Sequence, residues 1–406
     1  MDAPSASFAP AWPLLGEAGC RLRELYQIGC IYRAREHAGF PFGPVSGTLS
    51  ERRRTGWPRA RAPPPPFERL YGSMKLAYFD YTLDISVRVY IENVTRNLER
   101  LGVELLPFDS RAAPPREAHL YWDPRLTGGT PPWWRLRATG KPVVATLHDG
   151  VPQLSVAPWE YYRDLRSAGR GLYGVAKRFV AWRHWRGRCA ALIAVSKYAR
   201  EEARRNLRLR AENIVPIYHG IDHELFRPGS GETAPYFLHV SAYQPKKNFR
   251  RILTAYAALP AADKPCLRAV VPGYPTAAPS DGVEITREAL PQSELVPLYQ
   301  NALGFLFPSL HESFGMPIVE AMACGCPVVT SDRGACAEVA GDAAILVNPH
   351  SVGDLRRAMW SLMADGGLRD RLREQGLRRA RSFTWQQCAE SHFRVFAEAL
   401  RDRDEA

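Results

Sequence analysis

Two glutamates, Glu312 in a loop and Glu320 one turn into a helix, flank a short run, Ser313-Phe314-Gly315-Met316-Pro317, that could bind an anion. The amides of Phe314, Gly315 and Met316 precede a helix start, where unpaired N–H groups and the helix dipole favour negative charge, most naturally phosphate. Gly315 lets a ligand approach the backbone closely. Carboxylates cannot hold a phosphate. They accept pairs of hydroxyl hydrogen bonds, and sugars supply such pairs. A phosphate with a hydroxyl-rich group on either side describes a nucleotide sugar: ribose, diphosphate, hexose. The plainer alternative is a pair of solvated surface acids on an ordinary strand–helix–strand unit.

The elements that must position these groups can be read from the same stretch. Residues 304–307 are apolar and of strand length, and a loop with Pro308, Ser309 and His311 follows. Residues 317–323 read as a helix, with Pro317 at its first position and Gly325 as its stop. Residues 327–330 read as a second buried strand. Strand, loop, helix, strand implies a right-handed parallel crossover, with ligands beyond the carboxyl ends of the strands. A second such mouth follows the strand expected at 236–241. There Pro245-Lys246-Lys247-Asn248 precedes a helix at 250–259, so the Lys247 ammonium can reach a diphosphate at the same edge.

The remaining chain keeps an α/β rhythm. Strands are expected at 76–79, 103–106, 119–122, 142–147, 191–195, 214–217, 269–272 and 283–286. Helices are expected at 85–101, stopped by Gly102, and after Ser196 as an N-cap. Further helices are expected at 293–300, 355–363, 368–381 and 385–400. His148-Asp149 stands at the end of the fourth strand, and a lone histidine there is compatible with a purely structural role. Residues 159–188 are long, aromatic and basic, and read as a helical pair. They fit contact with an anionic membrane or a phosphorylated lipid carrier, and equally a solvated helix face with Trp182 and Trp185 in the core.

The 406 residues exceed what one core usually holds, so two domains are expected. Residues 1–73 stand apart as a basic, proline-rich extension with ten Arg and no Lys, and only 22–31 plausible as a helix. The folded enzyme is therefore expected to begin at Met74. The net charge of +12 suits a polyanion, an anionic membrane or a phosphorylated substrate. The charge is spread, and no nucleic-acid motif appears, so nucleic acid is not an expected partner. No apolar run reaches the roughly 18 residues that span a bilayer, and no signal peptide is visible. The eight cysteines are scattered, without metal-ligand spacing. A cytoplasmic protein, peripheral to the membrane at most, with reduced thiols and no structural metal, is the expectation.

The run from Glu312 through Glu320, continuing to Glu338 and Pro349, resembles the family 4 retaining glycosyltransferases, the class called glycosyl transferases group 1. The resemblance covers about 74–400. It implies a GT-B fold, with two Rossmann-like domains facing across a cleft. The boundaries expected are an acceptor domain at 74–225, a nucleotide-sugar domain at 235–382, and a helix at 383–406 that crosses back to the first domain. Residues 229–234 would be a flexible connector. In similar enzymes a histidine placed like His148 lies against the donor sugar. A lysine placed like Lys247 neutralises the leaving diphosphate, usually with an arginine whose place here falls near Ala242, and Lys246 would substitute for it. Glu320 would take the ribose hydroxyls and Glu312 those of the transferred hexose. The loop 287–290 would hold the base. Family members often carry a Gly-Gly loop after the first strand, where this chain has Asp80-Tyr81-Thr82-Leu83-Asp84.

The implied reaction moves a hexose from a nucleotide diphosphate sugar to an acceptor hydroxyl with retention. The acceptor would be a polysaccharide or lipid-linked glycan intermediate. No Asp-x-Asp metal motif occurs in a suitable loop, so the diphosphate would be balanced by Lys247 and the amides without a metal or other cofactor. The alternatives are a nucleotide-sugar-binding protein without catalysis, and a GT-B relative with other chemistry, such as an epimerase.

Overall fold

The computed structural model describes residues 74–80, 82, 85–162, 164–229, 234–260, 264–275 and 281–404. The extension expected at 1–73, with its helix at 22–31, lies outside the described residues. So do Tyr81, Leu83 and Asp84 of the loop after the first strand, Arg163, and most of the connector 229–234. The described residues form one compact unit.

The first half runs β1 (Lys75–Phe79), α1 (Ile85–Arg100), β2 (Glu104–Phe108), β3 (Leu120–Leu126) and β4 (Val143–Leu147). A single helical turn α2 (Pro158–Tyr161), a long helix α3 (Leu165–Arg183), β5 (Ala191–Ala194), α4 (Lys197–Leu207) and β6 (Ile214–Pro216) follow. The sheet order is β2-β1-β3-β4-β5-β6, and its pairings are parallel. Central strands of such a sheet are covered on both faces, which is why Val-Val-Ala-Thr-Leu of β4 is buried throughout.

The second half runs β7 (Ala234–Val240), α5 (Phe249–Ala257), β8 (Cys266–Val270), β9 (Val283–Thr286), α6 (Gln292–Asn301) and β10 (Ala302–Phe307). It continues through α7 (Met316–Ala323), β11 (Val328–Ser331), α8 (Gly334–Ala340), β12 (Ile345–Val347), α9 (Val352–Ala364) and α10 (Gly366–Ala380). Its order, β12-β11-β10-β7-β8-β9, is again parallel. Strand order reverses between β7 and β10, so a crevice opens beyond Val240 and Phe307. In the first half the reversal falls between β1 and β3.

The last helix, α11 (Trp385–Asp404), returns to the first half. Its Ala389 and Phe396 join Val94 and Leu98 of α1 in one buried cluster. Ile221 and Thr384 pair where the chain crosses between the halves. Two parallel six-stranded sheets with a returning terminal helix are the GT-B architecture that the family resemblance implied.

The basic stretch 159–188 differs from the helical pair expected. It is one turn followed by a single 19-residue helix. Asp164 caps that helix through the Ser167 amide, and the helix runs unbroken through Gly169, Gly171 and Gly174 to Arg183. Trp182 and Trp185 are buried, as the core alternative required. Strand β3 is longer than expected and carries Pro124, whose missing N–H falls where the pairing with β4 shifts register.

Candidate functional site

The central loop leaves β10 at Phe307 and enters α7 at Met316. Gly315 makes the turn in the left-handed region, with φ 94°, which a side chain would strain. Pro317 lies in the first helical turn, where no N–H is needed. Among the described residues nothing accepts from the amides of Phe314, Gly315 or Met316. They stand open at the head of an eight-residue helix.

Three loops of the second half are fastened around this point. The Leu310 amide donates to the Lys246 carbonyl at 2.7 Å. Asn248, buried and left-handed, donates to the carbonyls of Pro308 at 2.9 Å and Pro349 at 2.7 Å. Lys247 Nζ then meets Glu312 Oε1 at 2.6 Å, with the two side chains 16% and 11% exposed. Burial acts to raise the Glu312 carboxyl, but Lys247 and then Lys246 outweigh it and hold it below the ordinary carboxylate value. The lysine expected for the diphosphate and the acid expected for the hexose are therefore partners in this structure. A ligand at the mouth would have to share or replace that pair.

Glu320 stands apart from the lysines. It is only 8% exposed, and Tyr299 Oη donates to it at 3.0 Å. Burial pushes its carboxyl up to about 7, and the Tyr299 hydrogen bond opposes the shift. It is an acceptor at the edge of ionisation, not a solvated surface acid.

His148 comes from the first half, one residue past β4. Its Nε2 is 2.7 Å from the Pro124 carbonyl, which can only accept, so Nε2 carries the proton. Its ring stacks on His219 at 5.7 Å and meets the edge of Tyr90 at 4.9 Å. His219 meets Phe314 edge-on at 4.9 Å. One imidazole thus separates the histidine of the first half from the open amides of the second. Beneath them Tyr90 Oη lies 2.5 Å from His392 Nε2 and 3.1 Å from Thr146 Oγ1, so the returning helix α11 helps fix the stack. Burial, and then His148, hold His219 well below the ordinary histidine value.

The halves are clasped at the head of α4. Glu338 of α8 accepts from the amides of Lys197 and Tyr198, each at 2.8 Å, and from Tyr218 Oη at 2.7 Å. Ser196 caps α4 and donates to the Ser313 carbonyl at 2.6 Å. His311 Nε2 meets the buried Glu202 at 2.6 Å, and Glu202 also accepts from the Gly150 amide at 2.9 Å. Lys246 lies 5.3 Å over the Tyr161 ring of the first half.

The structure thus brings Lys246, Lys247, Glu312 and the three amides together. It places His148 one ring away and Glu320 one turn further along α7, bonded to Tyr299. Sequence reasoning missed Tyr299, Glu202 and the Tyr90–His392 contact. Glu202 sits in Arg-Glu-Glu-Ala-Arg-Arg, which reads as an exposed helix, and nothing local distinguishes Tyr299 from a core aromatic. Among the described residues no group of three or more His, Cys, Asp or Glu side chains is placed to hold a metal ion, and no helix is long and apolar enough to cross a membrane.

Comparison with known proteins adds independent findings. The model of the family "Glycosyl transferases group 1" matches residues 221–379, and that of "Glycosyltransferase Family 4" matches 126–225. The O-antigen chain mannosyltransferase B of Escherichia coli is 29% identical over 221 residues, 48% of this chain and 58% of that protein. The MMP alpha-(1->4)-mannosyltransferase of Mycolicibacterium hassiacum is 30% identical over 280 residues, 64% of this chain and 66% of that protein. The chain thus covers less than two thirds of each relative's own length. Among solved structures, sucrose-phosphate synthase from Thermosynechococcus elongatus superimposes with a TM-score of 0.63 at 18% identity, over 81% of this chain and 100% of that one. Anabaena HepE in complex with UDP and glucose gives 0.59 at 15%, over 80% and 99%. At these identities the likeness is one of fold.

Proposed function

We propose that this chain, which belongs to the family 4 glycosyltransferases, moves a hexose from a nucleoside diphosphate sugar to an acceptor hydroxyl with retention. The observation that carries the reading is the Lys247–Glu312 pair facing the open amides of Phe314–Met316, at the point where strand order reverses. A diphosphate there takes the amides and the Lys247 ammonium, with Lys246 beside them, and needs no metal to offset its charge. Glu312, released from Lys247, accepts hydroxyls of the hexose and faces the positive charge that develops at its anomeric carbon. Glu320 accepts the ribose hydroxyls. His148 holds the sugar from the opposite half, oriented by the His219 stack. Without a protein nucleophile, the departing phosphate oxygen takes the acceptor proton.

Mannose is the hexose we assign first, on the strength of the two mannosyltransferase relatives. The acceptor we assign is a polysaccharide or lipid-linked intermediate. The exposed side of α3, with Leu165, Arg166, Arg170, Tyr173, Lys177, Val180 and Arg183, supports contact with an anionic membrane surface.

A thermal-shift screen with GDP-mannose and UDP-, GDP- and ADP-glucose tests the donor reading, followed by transfer assays on the best donor. Glu320→Ala is expected to weaken donor binding, while Glu312→Ala mainly lowers turnover. Normal kinetics in both variants would overturn the two roles.

A further inference from the structure

The first half contributes a second set of polar side chains to the cleft, which the donor contacts leave unused. Strand β3 runs into Thr127-Gly128-Gly129, and the Asp149 carboxylate accepts from both glycine amides, at 2.8 Å and 3.1 Å. A methyl group at Gly128 would stand 3.4 Å from Arg178 Nη1 and 3.9 Å from Gln153 Nε2, so the loop, α3 and the turn after β4 converge there. Gln153 Nε2 lies 3.4 Å from Tyr161 Oη, and the Tyr161 and Tyr162 rings are 5.0 Å apart. The Tyr162 hydroxyl folds against α3 at Gly171, where a methyl group would come within 1.9 Å of it. Any side chain at that position would push the phenol out.

Among the described residues, three buried polar atoms of this group have no partner: Arg178 Nε, Tyr162 Oη and Gln153 Oε1. Among the described residues Arg178 makes no ion pair. The nearby carboxylate, Asp149, is turned to the loop amides. Buried polar groups without partners cost free energy, and a ligand that satisfies them recovers it. The chemistry they ask for is specific. A guanidinium offers paired donors to a tetrahedral or planar anion, a phenol adds one more donor, and the Gln153 carbonyl needs a hydroxyl.

We infer that Arg178, Tyr162 and Gln153 form an acceptor subsite for a phosphorylated sugar or polyol, with the phosphoryl group on Arg178 and Tyr162 and a neighbouring hydroxyl on Gln153. The inference rests on the glycosyl-transfer reading above and names the class of its acceptor. Lys246, over Tyr161, is the cation through which this subsite meets the donor side. The phosphoryl group can belong to a soluble sugar phosphate or to a lipid-linked one, and both present the same oxygens to Arg178.

The test uses the full chain saturated with the nucleoside diphosphate that gives the largest thermal shift, so that the donor amides and Lys247 are occupied. Inorganic phosphate and glycerol phosphate are then titrated by calorimetry. One further binding event is expected, about tenfold or more weaker in Arg178→Gln and partly restored in Arg178→Lys, with nucleotide affinity unchanged in both. Tyr162→Phe should weaken it by a smaller factor. Vesicles of phosphatidylcholine with and without phosphatidylglycerol separate the sources. Arg178-dependent vesicle binding assigns a lipid phosphate, and Arg178-dependent binding of soluble phosphate alone assigns a soluble one. Phosphate and vesicle binding both indifferent to Arg178 overturn the subsite. A protein that binds no nucleotide would instead contradict the donor reading, and the phosphate titration without nucleotide still reports on Arg178.

Discussion

The mouths of the two sheets face the same cleft but are built differently. In the second half the loops after β7, β10 and β12 are tied to one another through Asn248, the Lys246 carbonyl and the Lys247–Glu312 pair. In the first half the loop after β3 is held by Asp149, yet Arg178, Tyr162 and Gln153 keep buried polar atoms without a partner among the described residues. The difference teaches which half is built before its ligand arrives. A mouth whose charges are already paired and whose loops are cross-braced is preorganised. A mouth with unsatisfied donors waits for its ligand to complete it.

The strongest way to break that contrast is to remove a charge from the braced side. Lys247→Ala should cost about 3 kcal/mol of transition-state stabilisation, roughly a hundredfold in turnover at saturating donor. Steady-state kinetics on the true donor checks this, and an effect below about threefold would remove Lys247 from the chemistry.

An effect of comparable size is expected from Glu320, read through pH. Its folded-state value near 7 lies above the ordinary 4.5, so between those values the folded chain binds a proton that the unfolded chain has lost. Stability without ligand is thus fully present below pH 4.5 and falls as pH rises to about 7. Glu320→Gln should abolish that slope and raise stability at pH 8 by about 3 kcal/mol. Donor affinity should move the opposite way, since the ribose hydroxyls need the ionised carboxylate. Urea unfolding at pH 5 and pH 8, with and without donor, separates the two. Equal pH slopes in the wild type and Glu320→Gln would contradict the assignment.

The clasp between the halves comes next. Glu338→Ala removes three hydrogen bonds to a charged acceptor, at a cost to the closed arrangement of about 2 kcal/mol. We expect a larger radius of gyration in X-ray scattering and a raised donor KM, with turnover at saturation little changed. The smallest change is Tyr299→Phe, which loses one hydrogen bond worth about 1 kcal/mol. Because that bond lowers the Glu320 carboxyl, its loss should shift the midpoint of the donor-binding pH profile upward. An unmoved midpoint would mean that Tyr299 does not set the acidity of Glu320.

The parts of the site legible in the sequence were those that one loop contains. Gly315, Pro317 and the two glutamates announce a turn, a helix start and flanking acceptors within nine residues of chain. Lys247 could be placed because it precedes a helix at the corresponding mouth. The stretch 159–188 was less legible, because aromatic and basic residues suit a core-packed helix and a membrane-facing one alike, and only packing buries Trp182 while leaving Tyr173 exposed. Glu202 was hidden altogether. Its neighbours on α4 are charged, and its burial comes from His311, 109 positions further along the chain.

What the sequence determined by itself is the local chemistry: where helices begin, where strands end, and which mouth can meet a diphosphate. Those properties follow from backbone geometry and from residue types within a few positions of one another. Only the tertiary structure decided the pairings across the cleft, which are Lys247 with Glu312, His148 beside His219 and Phe314, Glu338 on the head of α4, and the unpartnered atoms around Arg178. The physical reason is that a side chain's charge state and role depend on its desolvation and on partners brought by other strands. No local pattern encodes which distant loop will arrive.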